Sequence, residues 1–247
     1  MSLFSQIINV FFPKNIEIPT EVGSSYFKKF DLDTNNCVDK IWVAMDYHQE
    51  YTQNTIHRIK SNLEFSLVDE LFEVFWQQLL RHYQKFIEQG KDTDFFEALF
   101  DPKIRTLITI VPPDPNRKLT RGFVLPELLG NKLIKRLDAK SNGKKTFSLE
   151  IIFDKKPVRQ QTGLGRLERL QNLDGKITIV STLSENYFEN YDVVFILDDI
   201  TTTGSTLGEC AKSIVNCNKR HIISNQNFEN SNSNLKIYGL VLASNSD

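Results

Sequence analysis

The chain has 247 residues, 40% of them hydrophobic and 25% charged, with a formal net charge of −1. This composition is that of an ordinary soluble globular protein, and with near-neutral charge nothing at the level of the whole chain demands nucleic acid or an acidic membrane surface as a partner. Three scattered cysteines, Cys37, Cys210 and Cys217, are too few for a disulfide framework and predict a reducing compartment.

The opening MSLFSQIINVFFPK carries an apolar run without a basic leader or a small-residue cleavage site, and it is shorter than a membrane span. It predicts a packed helix in a cytoplasmic protein with no membrane association. KIWVAMDY, residues 40 to 47, predicts a short strand. Ser66 is expected to cap a long helix with Asp69 as its capping-box partner. Leu67, Leu71, Val74, Phe75, Leu79 and Phe86 recur at helical spacing up to a terminating Gly90. The tryptophans and many phenylalanines of this half read as core.

From residue 104 the rhythm becomes that of alternating strands and helices, which predicts an α/β fold: a parallel sheet of Rossmann-like type flanked by helices. IRTLITIV (104 to 111) is the first strand, ended by PPDPNRK. A helix is expected over roughly 122 to 138, with Leu128, Leu129, Leu133 and Leu137 on one face. TFSLEIIF (146 to 153) predicts the second strand, and a polar, basic loop, 154 to 175, leads to KITIV and then DVVFIL. The last helix is expected over 205 to 217 and a closing strand over LKIYGLVLA (235 to 243). The division follows: 1 to 103 as a mostly helical accessory region, 104 to 247 as the core. SNQNFENSNSN reads as a surface loop.

The residues VVFILDDITTTGST, 193 to 206, carry the chemistry. A continuous apolar run predicts a strand buried on both faces, whose carboxyl end lies where ligands bind in open α/β sheets. Two carboxylates there, Asp198 and Asp199, suit acceptors for hydroxyl groups, directly or through a divalent cation. TTTGST supplies backbone amides, a glycine for close approach and a helix amino terminus, which together make an anion site. Hydroxyl acceptors beside a phosphate cradle describe a ribose 5-phosphate. No Walker-type GxxxxGK[ST] occurs, and Gly163-Leu164-Gly165 lacks the third glycine of a dinucleotide fingerprint.

Val194 to Thr206 resembles the phosphoribosyl-diphosphate (PRPP) signature of type I phosphoribosyltransferases, with Thr201 where an aliphatic residue is commoner. The resemblance narrows to the competence-protein-F (ComF) family. It is carried by VPPDPNRKLTRGFVLPELLG, with its arginine-glycine-phenylalanine after a Val-Pro strand end, by RQQTGLGRLERLQNL, by IINVFFP, and by YHQEYTQNTIHRIK, the tyrosine-to-lysine segment before the first long helix. It implies a phosphoribosyltransferase-type core with an amino-terminal accessory region. Asp198 and Asp199 would hold the ribose hydroxyls, Thr202, Thr203, Gly204, Ser205 and Thr206 the 5-phosphate, and Arg117, Lys118 and Arg121 the pyrophosphate. Magnesium is expected with PRPP, near Asp198 and Asp199. Lys155, Lys156, Arg159, Arg166 and Arg169 are candidates for a mobile cover. The implied activity is phosphoribosyl transfer to an acceptor the sequence does not specify. The alternative is a non-catalytic PRPP- or nucleotide-binding adaptor to competence and DNA-uptake proteins.

Two departures accompany the resemblance. The amino-terminal zinc ribbon of many family members is replaced by Lys14, Asn15, Ile16 and Glu17, with no CxxC pair, so no zinc is expected. Cys37, His48 and His57 could meet only by chance, and Cys210 and Cys217 read as packing residues. The asparagine-glutamine pair after RGF is Val124-Leu125 here. Direct single-stranded DNA binding is unsupported: the basic stretch Lys132 to Lys145 has no interleaved aromatics for stacking.

Overall fold

The computed structural model describes residues 25–28, 37–90, 93–156, 173–184, 186–224 and 235–245. In chain order its elements are β1 (Tyr26–Lys28), β2 (Lys40–Asp46), α1 (Glu50–Asn62), α2 (Ser66–Gln89), α3 (Thr93–Phe100), β3 (Thr106–Ile110), α4 (Pro115–Arg121), α5 (Leu125–Ser141), β4 (Leu149–Glu150), β5 (Phe153–Lys155), β6 (Ile177–Ile179), β7 (Val193–Thr201), α6 (Ser205–Ser224) and β8 (Lys236–Ser244). The result is a mixed α/β fold: a mostly parallel sheet, ordered β1-β2-β8-β7-β3-β4, flanked by helices. Only β1, among the described residues, joins it antiparallel. Among the described residues no helix is long and apolar enough to cross a membrane.

The apolar run of β7 is covered on both sides. Val193, Phe195 and Leu197 pack on the face that carries α1, α2, α3 and α5, while Val194 and Ile196 pack on the face that carries α6. The first face is the larger and is rich in rings. Phe95 of α3 is fully buried and lies 5.1 Å between centroids from Phe27, from Phe96 and from Phe195, and 5.2 Å from Tyr238. On the same face α2 and α5 are joined by the ion pairs Asp69–Lys132 and Glu73–Arg136. At the amino ends of β3 and β7, Arg105 donates from Nη2 to Asp192 Oδ1 at 2.6 Å and from Nε to Oδ2 at 3.1 Å. The Asp192 amide returns a bond to the Arg105 carbonyl at 2.8 Å.

Several boundaries differ from the sequence reading, each for a tertiary reason. Ser66 is the first residue of α2 rather than its cap; Phe65 holds the cap position and makes no side-chain cap bond. Asp69, the expected partner, is engaged by Lys132 instead. Gly90 closes the helix as expected, at φ 60°. The predicted helix over 122 to 138 begins at Leu125, and PPDPNRK contributes α4, with Pro115 at its first position where a missing N–H costs nothing. The single strand expected over 146 to 153 divides. Leu149 and Glu150 pair with Ile108 and Thr109, but β3 soon meets Pro112 and Pro113, which cannot extend the ladder, and Phe153–Lys155 pairs with β6 as a separate antiparallel ribbon. KITIV is therefore a strand, but of that ribbon rather than of the central sheet. The last helix runs to Ser224. The opening MSLFSQIINVFFPK and the surface loop SNQNFENSNSN lie outside the described residues. β2, within the stretch assigned to the accessory region, pairs in parallel with β8 along its length.

Gly239 marks the closest approach at the middle of the sheet. A Cβ there would lie 3.0 Å from Ile41 Cγ1 and 3.3 Å from Leu207 Cδ1. Leu207 follows directly on the TTTGST loop, so a bulkier residue pushes on the first turn of α6. Gly239→Val is expected to cost about 2 kcal/mol by overpacking, read as a lower urea midpoint with an unchanged denaturant slope.

Candidate functional site

Strands β3 and β7 run side by side from Thr106↔Val193 to Ile110↔Leu197. The Val111 amide makes one further bond, to the Leu197 carbonyl at 2.9 Å, and then the chain turns away at Pro112-Pro113. β7 does not end at Leu197, where the sequence reading places its end. It continues through Asp198 and Asp199 to Thr201 because β8 remains alongside it, from Asp198↔Val241 to Thr201↔Ser244. Beyond Leu197, then, β7 is paired on its β8 side and has no strand partner among the described residues on its β3 side.

The connections make this gap a switch point. β3 leads through α4 and α5 to β4 on one side, and β7 leads through α6 to β8 on the other, with α5 and α6 on opposite faces. The crevice at the carboxyl ends of such strands is where open α/β sheets take ligands. A cavity of about 200 Å³ occupies it. Its β3 wall is Pro112, Pro113, Asp114, Lys118 and Arg121; its β7 wall is Asp198, Asp199, Ile200 and Thr206. Lys60 of α1 and Lys155 of β5 also border it.

Alternation along β7 turns the two carboxylates to opposite faces. Asp199 continues the face covered by α1, and there Lys60 Nζ lies 2.7 Å from Asp199 Oδ2. Asp198 turns toward α6. Its Oδ1 accepts the Asp199 amide at 2.8 Å. Protein encloses this side chain on most sides although the residue keeps an exposed edge on the cavity. Burial, and then the neighbouring Asp199 charge, push the Asp198 carboxyl up to about 7, against the pull of Lys60, the Asp199 amide and Lys155.

The TTTGST segment forms the turn from β7 into α6. Gly204 adopts φ 74°, a left-handed conformation that side chains disfavour, and its carbonyl accepts the Gly208 amide at 2.8 Å to start the helix. Thr203 Oγ1 and Ser205 Oγ lie 2.6 Å apart, and the Ser205 amide points to Thr203 Oγ1 at 3.4 Å. Thr206 reaches the cavity wall. Thr202, Thr203, Gly204 and Ser205 make the turn that delivers it, at the positive end of a twenty-residue helix.

Of the expected cations, Lys118 and Arg121 border the cavity. Arg117 lies in α4 by its backbone, and its side chain is outside the described residues. Lys155 borders the cavity, whereas Lys156 follows β5 with its amide bonded to the Lys176 carbonyl at 2.9 Å. Arg159, Arg166 and Arg169 lie outside the described residues. Val124 and Leu125, where the resembled family has amides, form with Phe123 and Pro126 an apolar part of the wall.

The residue that sequence reasoning missed is Lys60. The available signal was the tyrosine-to-lysine segment, which ends on it; nothing local showed that it would reach Asp199. Asp114 was missed as well, because PPDPNRK read only as a strand terminator. The basic stretch Lys132 to Lys145 is largely engaged within the fold. Lys132 and Arg136 pair with α2, Lys140 lies over the Phe100 ring, and Lys145 donates to the Ala98 carbonyl at 2.8 Å and the Asp101 carbonyl at 3.1 Å. Among the described residues no three His, Cys, Asp or Glu side chains gather closely enough to hold a metal ion by themselves. No family model matches the chain, and no curated protein compared with it does.

Proposed function

We propose that the protein binds PRPP in this cavity and transfers its phosphoribosyl group to a nucleophile, as a phosphoribosyltransferase of the type I, ComF-like kind. The observation that carries the reading is the joint placement of a carboxylate pair and a helix amino terminus on one open strand end, across a cavity from Lys118 and Arg121. A sugar bearing phosphate at one end and pyrophosphate at the other needs all three kinds of partner: the helix terminus for the phosphate, the carboxylates for the sugar hydroxyls and the cations for the pyrophosphate.

Asp198 and Asp199 accept hydrogen bonds from the ribose hydroxyls. The amides and hydroxyls of Thr202 to Thr206 hold the 5-phosphate. Lys118 and Arg121 neutralise the pyrophosphate as it departs, an electrostatic contribution that grows as charge develops on it. The acceptor's lone pair forms the new bond to the anomeric carbon while the bond to the pyrophosphate oxygen breaks. The electron pair leaves with pyrophosphate, and the acceptor releases its proton. Positioning and charge stabilisation provide the rate, and among the described residues no His or Cys borders the cavity to act as a base.

Magnesium fits the donor set. Two carboxylates offer hard oxygen ligands but too few to enclose an ion, which suits a cation shared with substrate oxygens and water. When bound, it would offset pyrophosphate charge; Asp198 and Asp199 are the residues to hold it.

Thermal unfolding with PRPP and MgCl₂ tests the reading. At a hundredfold excess over Kd, binding to the folded state adds about 2.7 kcal/mol, a midpoint rise of about 5–10 °C for a chain of this size. The rise should vanish in Asp198→Asn/Asp199→Asn. An unmoved wild-type midpoint at every PRPP concentration refutes the proposal. Pyrophosphate release with a panel of amine and base acceptors then separates transferase from adaptor: binding without turnover for all of them favours the non-catalytic alternative.

A further inference from the structure

Lys60 belongs to the last turn of α1, outside the stretch that carries the PRPP-like signature. Its neighbours Ile56 and Ile59 are buried, which fixes the helix and the base of the side chain. The ammonium reaches Asp199 Oδ2 at 2.7 Å, and the side chains of the pair are only 18% and 17% exposed. A lysine so near a helix carboxyl terminus already has favourable company in the last carbonyls. This one instead extends into the cavity, to the carboxylate adjacent in sequence to Asp198.

Two neighbouring carboxylates in a partly dry site destabilise the fold unless a cation offsets them. Lys118 and Arg121 stand on the β3 wall, and no ion pair joins either of them to Asp198 or Asp199 among the described residues. Lys155, also at the cavity, adds its charge on the Asp198 side, while Lys60 meets the pair by direct contact with Asp199. Any divalent cation approaching Asp199 meets an ammonium already in contact with it.

We infer that Lys60 is the resident counter-charge of the Asp198–Asp199 pair, delivered by α1 and exchanged for a divalent cation when the site is filled. The identity of the filled state rests on the PRPP reading above; the exchange itself is a property of the apo site. It makes α1, a helix of the stretch assigned to the accessory region, part of the binding machinery. Lys60 acts here as a positioning residue: it neutralises the site when empty and sets how much cation is needed to fill it.

The experiment uses magnesium alone as the probe. Midpoints of thermal unfolding are measured against MgCl₂ for the wild type, Lys60→Met and Lys60→Met/Asp199→Asn. Lys60→Met should melt below the wild type without magnesium. It should recover as magnesium is added, with half-maximal effect at about one tenth of the concentration the wild type requires. In Lys60→Met/Asp199→Asn, with the contacting carboxylate removed together with its ammonium, the response should disappear. Equal responses of wild type and Lys60→Met, or none in either, overturn the inference. If Lys60→Met does not fold, the double variant must, because it removes the carboxylate that Lys60 contacts and the like charge beside Asp198; a double variant that also fails to fold shows that Lys60 is needed for packing and overturns the inference equally. The PRPP proposal fails separately. A Lys60-dependent magnesium response without PRPP-dependent stabilisation would leave the counter-charge standing and remove the substrate, and PRPP binding with equal magnesium responses would do the reverse.

Discussion

Asp198→Asn is expected to stabilise the unliganded protein at neutral pH while weakening PRPP binding about ten- to a hundredfold. The two effects have one origin. A carboxyl raised by burial and by Asp199 holds its proton more tightly in the folded chain than in the unfolded one. Its contribution to stability is therefore complete below the unfolded carboxylate range, about pH 4, and is lost as pH rises through the elevated folded value. At neutral pH the wild type bears most of that loss. Asparagine removes the like charge beside Asp199, leaves the Asp199–Lys60 pair in place, and keeps an oxygen to accept the Asp199 amide. A gain of about 1–3 kcal/mol follows, or roughly 2–10 °C in midpoint. On the binding side, one charged acceptor for a sugar hydroxyl is lost, worth about 1.5–3 kcal/mol. Thermal midpoints between pH 5 and 8 (about one unit above the ordinary carboxylate range to one above neutrality), paired with calorimetric PRPP titration, check both halves. A variant less stable than wild type across that range would make Asp198 a structural residue and contradict the proposed division of labour.

Phe95→Ala should be the most damaging single truncation among the residues discussed. Phe95 is 0% exposed and meets rings from β1, α3, β7 and β8. Its removal leaves a void that four aromatic neighbours, fixed by separate elements, are poorly able to fill. A loss of about 3–5 kcal/mol is expected, a midpoint drop of roughly 10 °C. The preceding residue guards against a trivial explanation. Asp94 ties the same helix to the sheet, accepting from Lys40 at 2.5 Å, Tyr238 Oη at 2.9 Å and Lys236 at 3.2 Å, so α3 stays docked and the deficit reports the ring cluster. Phe95→Leu should recover part of it. Leu119→Ala, at an 84% exposed position, should change stability by no more than about 0.5 kcal/mol. A Phe95→Ala protein as stable as that control would mean the cluster contributes little.

The contrast between what could and could not be read from the chain follows the range of the interactions. The apolar run before Asp198, the leucines of α5, the glycine that closes α2 and the helix start at Ser205 are local patterns, and each appears where its spacing predicts it. The division of 146 to 153 between two partners depended on where β3 would stop, which lies in another part of the chain. The continuation of β7 past Asp199 depended on β8, whose residues come forty or more positions later. Ser66 and Asp69 have the spacing of a capping box, yet a lysine on α5 takes the aspartate. Of the candidate site, the carboxylates and the phosphate-type turn were legible because they are contiguous. Lys60 was not, because its meaning arises only when α1 is laid against the end of β7.

The Arg105–Asp192 clamp fixes where the two walls of the cavity begin. β3 and β7 are fastened to each other at their amino ends by a two-pronged side-chain bridge and a backbone bond, and they separate only after Leu197. The ladder carries that hold forward without a break, rung by rung, to the bond from the Val111 amide to the Leu197 carbonyl. The two walls of the cavity therefore spring from one fixed seam, and the distance between their roots is set by backbone bonds rather than by the side chains that face the ligand.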